Sequence, residues 1–168
     1  MTSQTPGTNP LPTATLLRSA RTTTAALISL LLARLLKLPE FYWAPISAIV
    51  IIESTVDARI ISWQRFAGTA LGAAIGALIG TFFAPDAGAF LVPNVLIYAI
   101  AIFICGALCV ALRIHGASRF AAITVSIILL IAHNRPPWIV AWHRFAEVSL
   151  GVAVGLVLDI VWPMTITN

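Results

Sequence analysis

The segment WQRFAGTALGAAIG at residues 63–76 returns 79 positions later, without a gap, as WHRFAEVSLGVAVG at 142–155, with eight of fourteen positions identical. A chain carrying such a repeat has to be read as two related halves before any single helix is assigned. In the first copy Gly68, Gly72, Gly76 and Gly80 stand four apart. At helical spacing they share one face and leave a stripe without side chains, which another backbone can approach closely. In the second copy the stripe reads Glu147, Gly151, Gly155 and Asp159. The same offset pairs Arg34 with Arg113, Phe41 with Phe120 and Ser47 with Ser126, which carries the repeat back through the preceding segments.

The residues between these landmarks place the chain in a membrane. Hydrophobic residues make up 60% of the 168 and charged residues only 10%, where a soluble domain has about a quarter charged. Apolar runs occupy 16–36, 42–55, 66–84, 93–112, 120–132 and 145–162. Each is ended by proline, glycine or charge, and the second and fifth are too short to cross about 30 Å of hydrocarbon unaided. The expectation is an all-α membrane protein of six transmembrane helices. Residues 1–15 read as a disordered tail, 16–163 as one membrane domain, with repeats at 16–85 and 93–163, and 164–168 as a second tail. Three helices per repeat is an odd number, so the second copy crosses the membrane in the opposite sense. This is the inverted-topology architecture of many secondary transporters, with substrate bound near the midplane between the halves.

The net charge of +4 comes from arginines flanking the runs and points to lipid headgroups, not to nucleic acid. Counting Lys and Arg with the N-terminus inside puts six on the cytoplasmic side and four outside, so both termini are expected in the cytoplasm. Cys105 and Cys109 lie one turn apart in an apolar run and read as packing residues. His115, His133 and His143 have no ligand spacing, so no metal is expected. Motifs for nucleotide binding, hydrolysis or metalloproteolysis are absent, which leaves no enzyme and no cofactor in the reading.

Candidate functional residues come from charge placed where it is costly. Arg65 and Arg144 occupy equivalent places at the start of the third and sixth runs. There a guanidinium aided by the helix N-terminus can hold a carboxylate, and inversion sets one station on each membrane face. Trp63 and Trp142 accompany them as substrate contacts. The competing reading makes these pairs interfacial, the arginines snorkelling beside an aromatic belt. Glu147 and Asp159 lie within the last span, where carboxylates face protein or water. Glu147, Glu53 and Asp159 are the candidate proton-coupling groups, with Glu147 a proton carrier or else the ion-pair partner of Arg144 one turn earlier. Glu53, with Asp57, stands where the second run fails, marking either a transporter site or a salt bridge to Arg59 or Arg65. Gly68, Gly72, Gly76, Gly80, Gly151 and Gly155 are assigned to helix packing.

The block at 41–80, with Trp43, Arg65, Gly68, Thr69, Gly72 and Gly76, resembles the membrane half of the FUSC family, the fusaric-acid-resistance-like or aromatic acid exporter proteins. Plant aluminium-activated malate transporters are related in their six-helix membrane part, a dimer around an anion pathway. The resemblance extends over nearly all of 16–163. It implies proton-coupled export of small organic, chiefly aromatic, carboxylates across the bacterial inner (cell) membrane. It also implies a homodimer, because larger members carry a second membrane half and cytoplasmic domains that these 168 residues do not contain. Two alternatives stand beside efflux: a passive organic-anion channel, and an accessory membrane subunit without transport of its own.

Overall fold

A computed structural model describes residues 12–83, 92–131 and 135–163. The described residues form six helices and no strand: α1 Pro12–Leu35, α2 Trp43–Ile52, α3 Ala58–Phe83, α4 Val92–Ala111, α5 Ser118–Ser126 and α6 Pro137–Val161. A single 3-10 turn, His115–Ala117, precedes α5, and a π-helical turn, Ile127–Ile131, follows it. By length and hydropathy two helices qualify as membrane spans, Thr15–Leu35 and Ala58–Phe83. The ten residues of α2 cover about 15 Å, half a bilayer. α6 is as long as α3 but carries Arg144, Glu147 and Asp159 within it.

Two helices begin well before their apolar runs. α3 starts at Ala58, not near Phe66, and α6 at Pro137, not near Phe145. Apolarity marks where a helix meets hydrocarbon, whereas helix formation is limited only by caps and breakers. Asp57 supplies the cap for α3, its Oδ1 accepting the Arg59 N–H at 2.7 Å. α6 has no side-chain cap, and Pro137 at its first position presets the helical φ instead. α1 likewise starts at Pro12, inside the stretch read as a tail. The remainder of that stretch, residues 1–11, and 164–168 lie outside the described residues.

α1 and α4 end in the same motif. Leu38 N–H donates to Ala33 O and Lys37 N–H to Arg34 O, and Ile114 and Arg113 repeat this on Cys109 O and Val110 O, all within 2.9–3.0 Å. Lys37 and Arg113 both adopt positive φ, 53° and 59°. These are Schellman closures completed by non-glycine residues. The structural partner of Arg113 is therefore Lys37, at an offset of 76, and not Arg34 at 79 as the ungapped repeat suggests.

The glycine stripes pack on the half-length helices. A Cβ on Gly72 would meet the Ala121 backbone and Thr124, and one on Gly76 would meet Ile128. Across the molecule a Cβ on Gly151 would meet the Ala44 backbone and Ser47, and one on Gly155 would meet Ile51. Thus α3 lies on α5 and α6 lies on α2, each long helix against the short helix of the other half. The α5 contacts follow those of α2 at an offset of 77. Between the long helices, Ile61 clusters with Val148 and Val152, the Phe66 and Phe145 rings stand 5.0 Å apart, and Ala73 clusters with Val140 and Ala141. Partner numbers fall as α3 numbers rise, so α3 and α6 run antiparallel and cross at Phe66 and Phe145.

Candidate functional site

The crossing point gathers the buried charge. Arg65 lies on the α3 face that continues through Gly68, Thr69 and Gly72, and Arg144 on the α6 face that continues through Glu147, Val148 and Gly151. Positions three, four and seven apart share a helix face, so the packing that buries the glycines also buries the arginines. Arg65 is 8% exposed, Arg144 2% and Glu147 fully buried. Trp63 and Trp142 precede the arginines by two positions, about 200° around the helix. Their rings accordingly point outward and are mostly exposed, resting 6.4 and 6.3 Å from Phe66 and Phe145.

Each guanidinium sits on an aromatic ring from a short helix or its rim. Arg144 lies 3.6 Å over Trp43, and Arg65 lies 5.0 Å over Phe120, whose ring also receives Arg119 at 4.7 Å. Trp43 and Phe120 are equivalent at the offset of 77, so the repeat places a cation–π seat under each arginine. Around Arg144 the seat is elaborated. Trp43 Nε1–H donates to Glu40 Oε2 at 3.0 Å, and the Glu40 backbone N–H donates to Glu147 Oε1 at 2.9 Å. Glu40 Oε2 stands 3.9 Å from Arg144 Nη1, an ion pair too long for a hydrogen bond. Arg65 instead donates from Nη2 to Ser47 Oγ at 3.1 Å.

Several polar atoms here have no hydrogen-bond partner among the described residues: Nε of Arg65, Nε and Nη1 of Arg144, and Oε2 of Glu147. A buried unpaired polar atom costs about 1–3 kcal/mol, more when charged. In folded proteins buried groups of this kind are ordinarily met by a protein group, an ordered water or an ion.

The sequence-derived site residues divide between two places. Arg65, Arg144 and Glu147 come together. The arginines stand two turns inside their helices and flank one crossing point, not at helix N-termini on opposite faces, because both helices begin eight residues earlier than their apolar runs. Glu147 bonds the Glu40 backbone and not Arg144. Glu53 and Asp159 belong elsewhere. Glu53 pairs with Arg18 at 2.8 Å and accepts from Thr22, so neither Arg59 nor Arg65 is its partner, and Asp159 pairs with the buried Arg21. These pairs bind the first half of α1 to the ends of α2 and α6. Sequence reasoning passed over Glu40, Trp43 and Phe120 as site residues. The signal for the first two was an acid three residues before a tryptophan at the head of a short run, directly after the α1 stop.

A family model described as fusaric acid resistance protein-like matches residues 24–158. Comparison with curated proteins and with solved structures returns no match. The matched span contains both copies of the repeat, both arginines, Glu40 and Glu147, and covers well over half of the chain. The chain therefore belongs to the fusaric acid resistance protein-like family, integral membrane proteins with a role in transport or resistance.

Proposed function

We propose that this protein is a transporter that exports small organic carboxylates, chiefly aromatic ones, with proton movement as the driving force. The observation that carries the reading is the pair of buried guanidiniums on aromatic seats with hydrogen-bond donors left open. A guanidinium fork offers bidentate recognition of a carboxylate, and the aromatic rings around it suit a flat substrate. In this reading six helices enter the membrane as two inverted three-helix halves. The antiparallel α3–α6 crossing is then near the midplane, with both termini in the cytoplasm of a bacterial cell and two copies forming a homodimer. The crossed packing of each long helix on the other half's short helix supports the inverted halves.

Glu147 is the coupling group, since it is buried among these cations and has one carboxylate oxygen without a partner. Flux of benzoate from proteoliposomes tests the arginine assignment. Arg144→Gln, and separately Arg65→Gln, are expected to cut it at least tenfold, the scale of one lost charged hydrogen bond. Undiminished flux in both variants refutes the site. Accumulation against a gradient under an imposed pH difference separates coupled export from passive conduction.

A further inference from the structure

The two arginine stations are equivalent in the repeat but differ in what stands beside them. Next to Arg144 the turn between α1 and α2 brings in the Glu40 carboxylate, held by the Trp43 indole N–H at 3.0 Å and stopped 3.9 Å short of Arg144 Nη1. That turn is clamped from behind, because the Glu40 backbone N–H is bonded to Glu147 on α6. The Glu40 side chain is itself 31% exposed, whereas the Arg144 side chain it faces is 2% exposed. An external anion approaching the open Nε and Nη1 donors of Arg144 therefore meets a negative charge already stationed there. At the other station the counterpart of Glu40, at the offset of 77, is Ala117, and the counterpart of Glu147 is Gly68, packed directly on the Ala117 backbone. Arg65 has a neutral hydroxyl, that of Ser47, in place of a carboxylate.

We infer that Glu40 is a tethered competitor for the Arg144 anion site: a carboxylate of the protein's own that stands at this guanidinium until an external carboxylate displaces it. The inference rests on the transport reading for its ligand class and adds the residue that sets affinity. It also makes the two stations unequal, with Arg65 facing a neutral hydroxyl and Arg144 facing a carboxylate of the protein. Trp43 does two things in this arrangement, seating the guanidinium on its ring face and holding the competitor by its ring N–H. A substrate that takes Arg144 leaves Glu40 free to keep its bond to Trp43, so displacement is a shift in charge partnership and not an unfolding of the turn.

The test is benzoate binding to the purified full chain in detergent, by calorimetry at one pH and ionic strength. Glu40→Gln keeps an acceptor for the Trp43 N–H and removes the charge. It is expected to tighten benzoate binding about fivefold, the scale of a partly exposed ion pair. Glu40→Ala is expected to tighten it as well, and serves if the glutamine variant does not fold. Arg144→Gln added to Glu40→Gln should cancel the gain. Affinity unchanged or weakened in both Glu40 variants, while Arg144→Gln in the native background lowers it, overturns the competitor role and leaves the transport reading standing. Binding indifferent to both Arg65→Gln and Arg144→Gln removes the site itself. Where native protein shows no measurable binding, the Glu40 variants must reveal it, and failure in both is a refutation.

Discussion

Removing an arginine from water costs several kcal/mol, and the protein offsets that cost at Arg144 with the Trp43 ring face and the Glu40 and Glu147 carboxylates. Glu147 is the other end of the same compromise, since one oxygen is satisfied by the Glu40 N–H and the other is open. Glu147→Gln keeps an oxygen acceptor for the Glu40 N–H in place of the carboxylate oxygen. Folded yield and thermal stability in detergent should stay close to native, while accumulation driven by a pH difference is lost and downhill benzoate exchange persists. Glu147→Leu should instead lower stability by about 1 kcal/mol, because the partly buried Glu40 N–H is left without its acceptor. Loss of coupled and downhill flux together in Glu147→Gln, at native stability, would make Glu147 part of the anion seat and not the coupling group.

At the scale of elements, what matters is how closely a long helix can lie on a short one. A Cβ on Gly72 would stand 2.5 Å from the Ala121 carbonyl oxygen and 2.9 Å from its Cα. Backbone of a packed helix cannot yield as a side-chain tip does. Gly72→Ala is expected to destabilise the protein by about 1–3 kcal/mol, read as a lower melting temperature in detergent. Gly106, in the middle of α4, has nothing within 4 Å of the position its Cβ would take. Gly106→Ala removes a helix-interior glycine and should stabilise by about 0.5–1 kcal/mol. Equal melting shifts for the two variants would contradict the close α3–α5 approach. The stripe was legible as a packing surface from its four-residue spacing. Its partner was not, since nothing local says that α3 chooses α5 over the short helix of its own half.

Across the whole molecule the repeat is broken in two places with opposite chemistry. On one side α1 is held by ions, Arg21 to Asp159 and Arg18 to Glu53. On the other, α4 stands against α3 around an apolar cavity of about 420 Å³, lined by residues such as Ile75, Leu78, Ile79, Ile97 and Ile100. Gly80, the counterpart of Asp159, rests against Pro137. The outer helices are thus fastened differently, α1 by ion pairs beside the buried cluster of Ala25 with Ala48, Ile52 and Leu158, and α4 by apolar packing with the Tyr98–Ser126 hydroxyl contact at 3.0 Å. Asp159→Asn leaves the buried Arg21 without its counterion and should lower the melting temperature, by the equivalent of about 1 kcal/mol given the exposure of Asp159. Arg21→Met in the same chain should recover part of that loss, as expected when an ion pair is replaced by apolar packing. Additive losses in the double variant would show that the pair is not coupled.

Sequence by itself determined the membrane class, the duplication, the glycine packing faces and the singling out of Arg65, Arg144 and Glu147 as candidates, because composition and periodicity are local quantities that a repeat displays twice. Tertiary structure decided which residues meet. Residues 58–65 and 137–144, in which apolar side chains precede the arginine, extend both long helices two turns ahead of the runs that begin at 66 and 145, and that moves the arginines from the helix ends to the crossing point. One added residue between the first and second helices of the later half, and two more between its second and third, shift the register from 76 to 77 to 79. Phe120 thereby falls opposite Trp43, not Phe41. Glu40 acquires its place only when a turn from one half closes on a long helix from the other. A contact of 107 residues' separation leaves no periodic trace in the chain, and it is this contact that seats Glu40 beside Arg144, whereas among the described residues Arg65 has no such carboxylate.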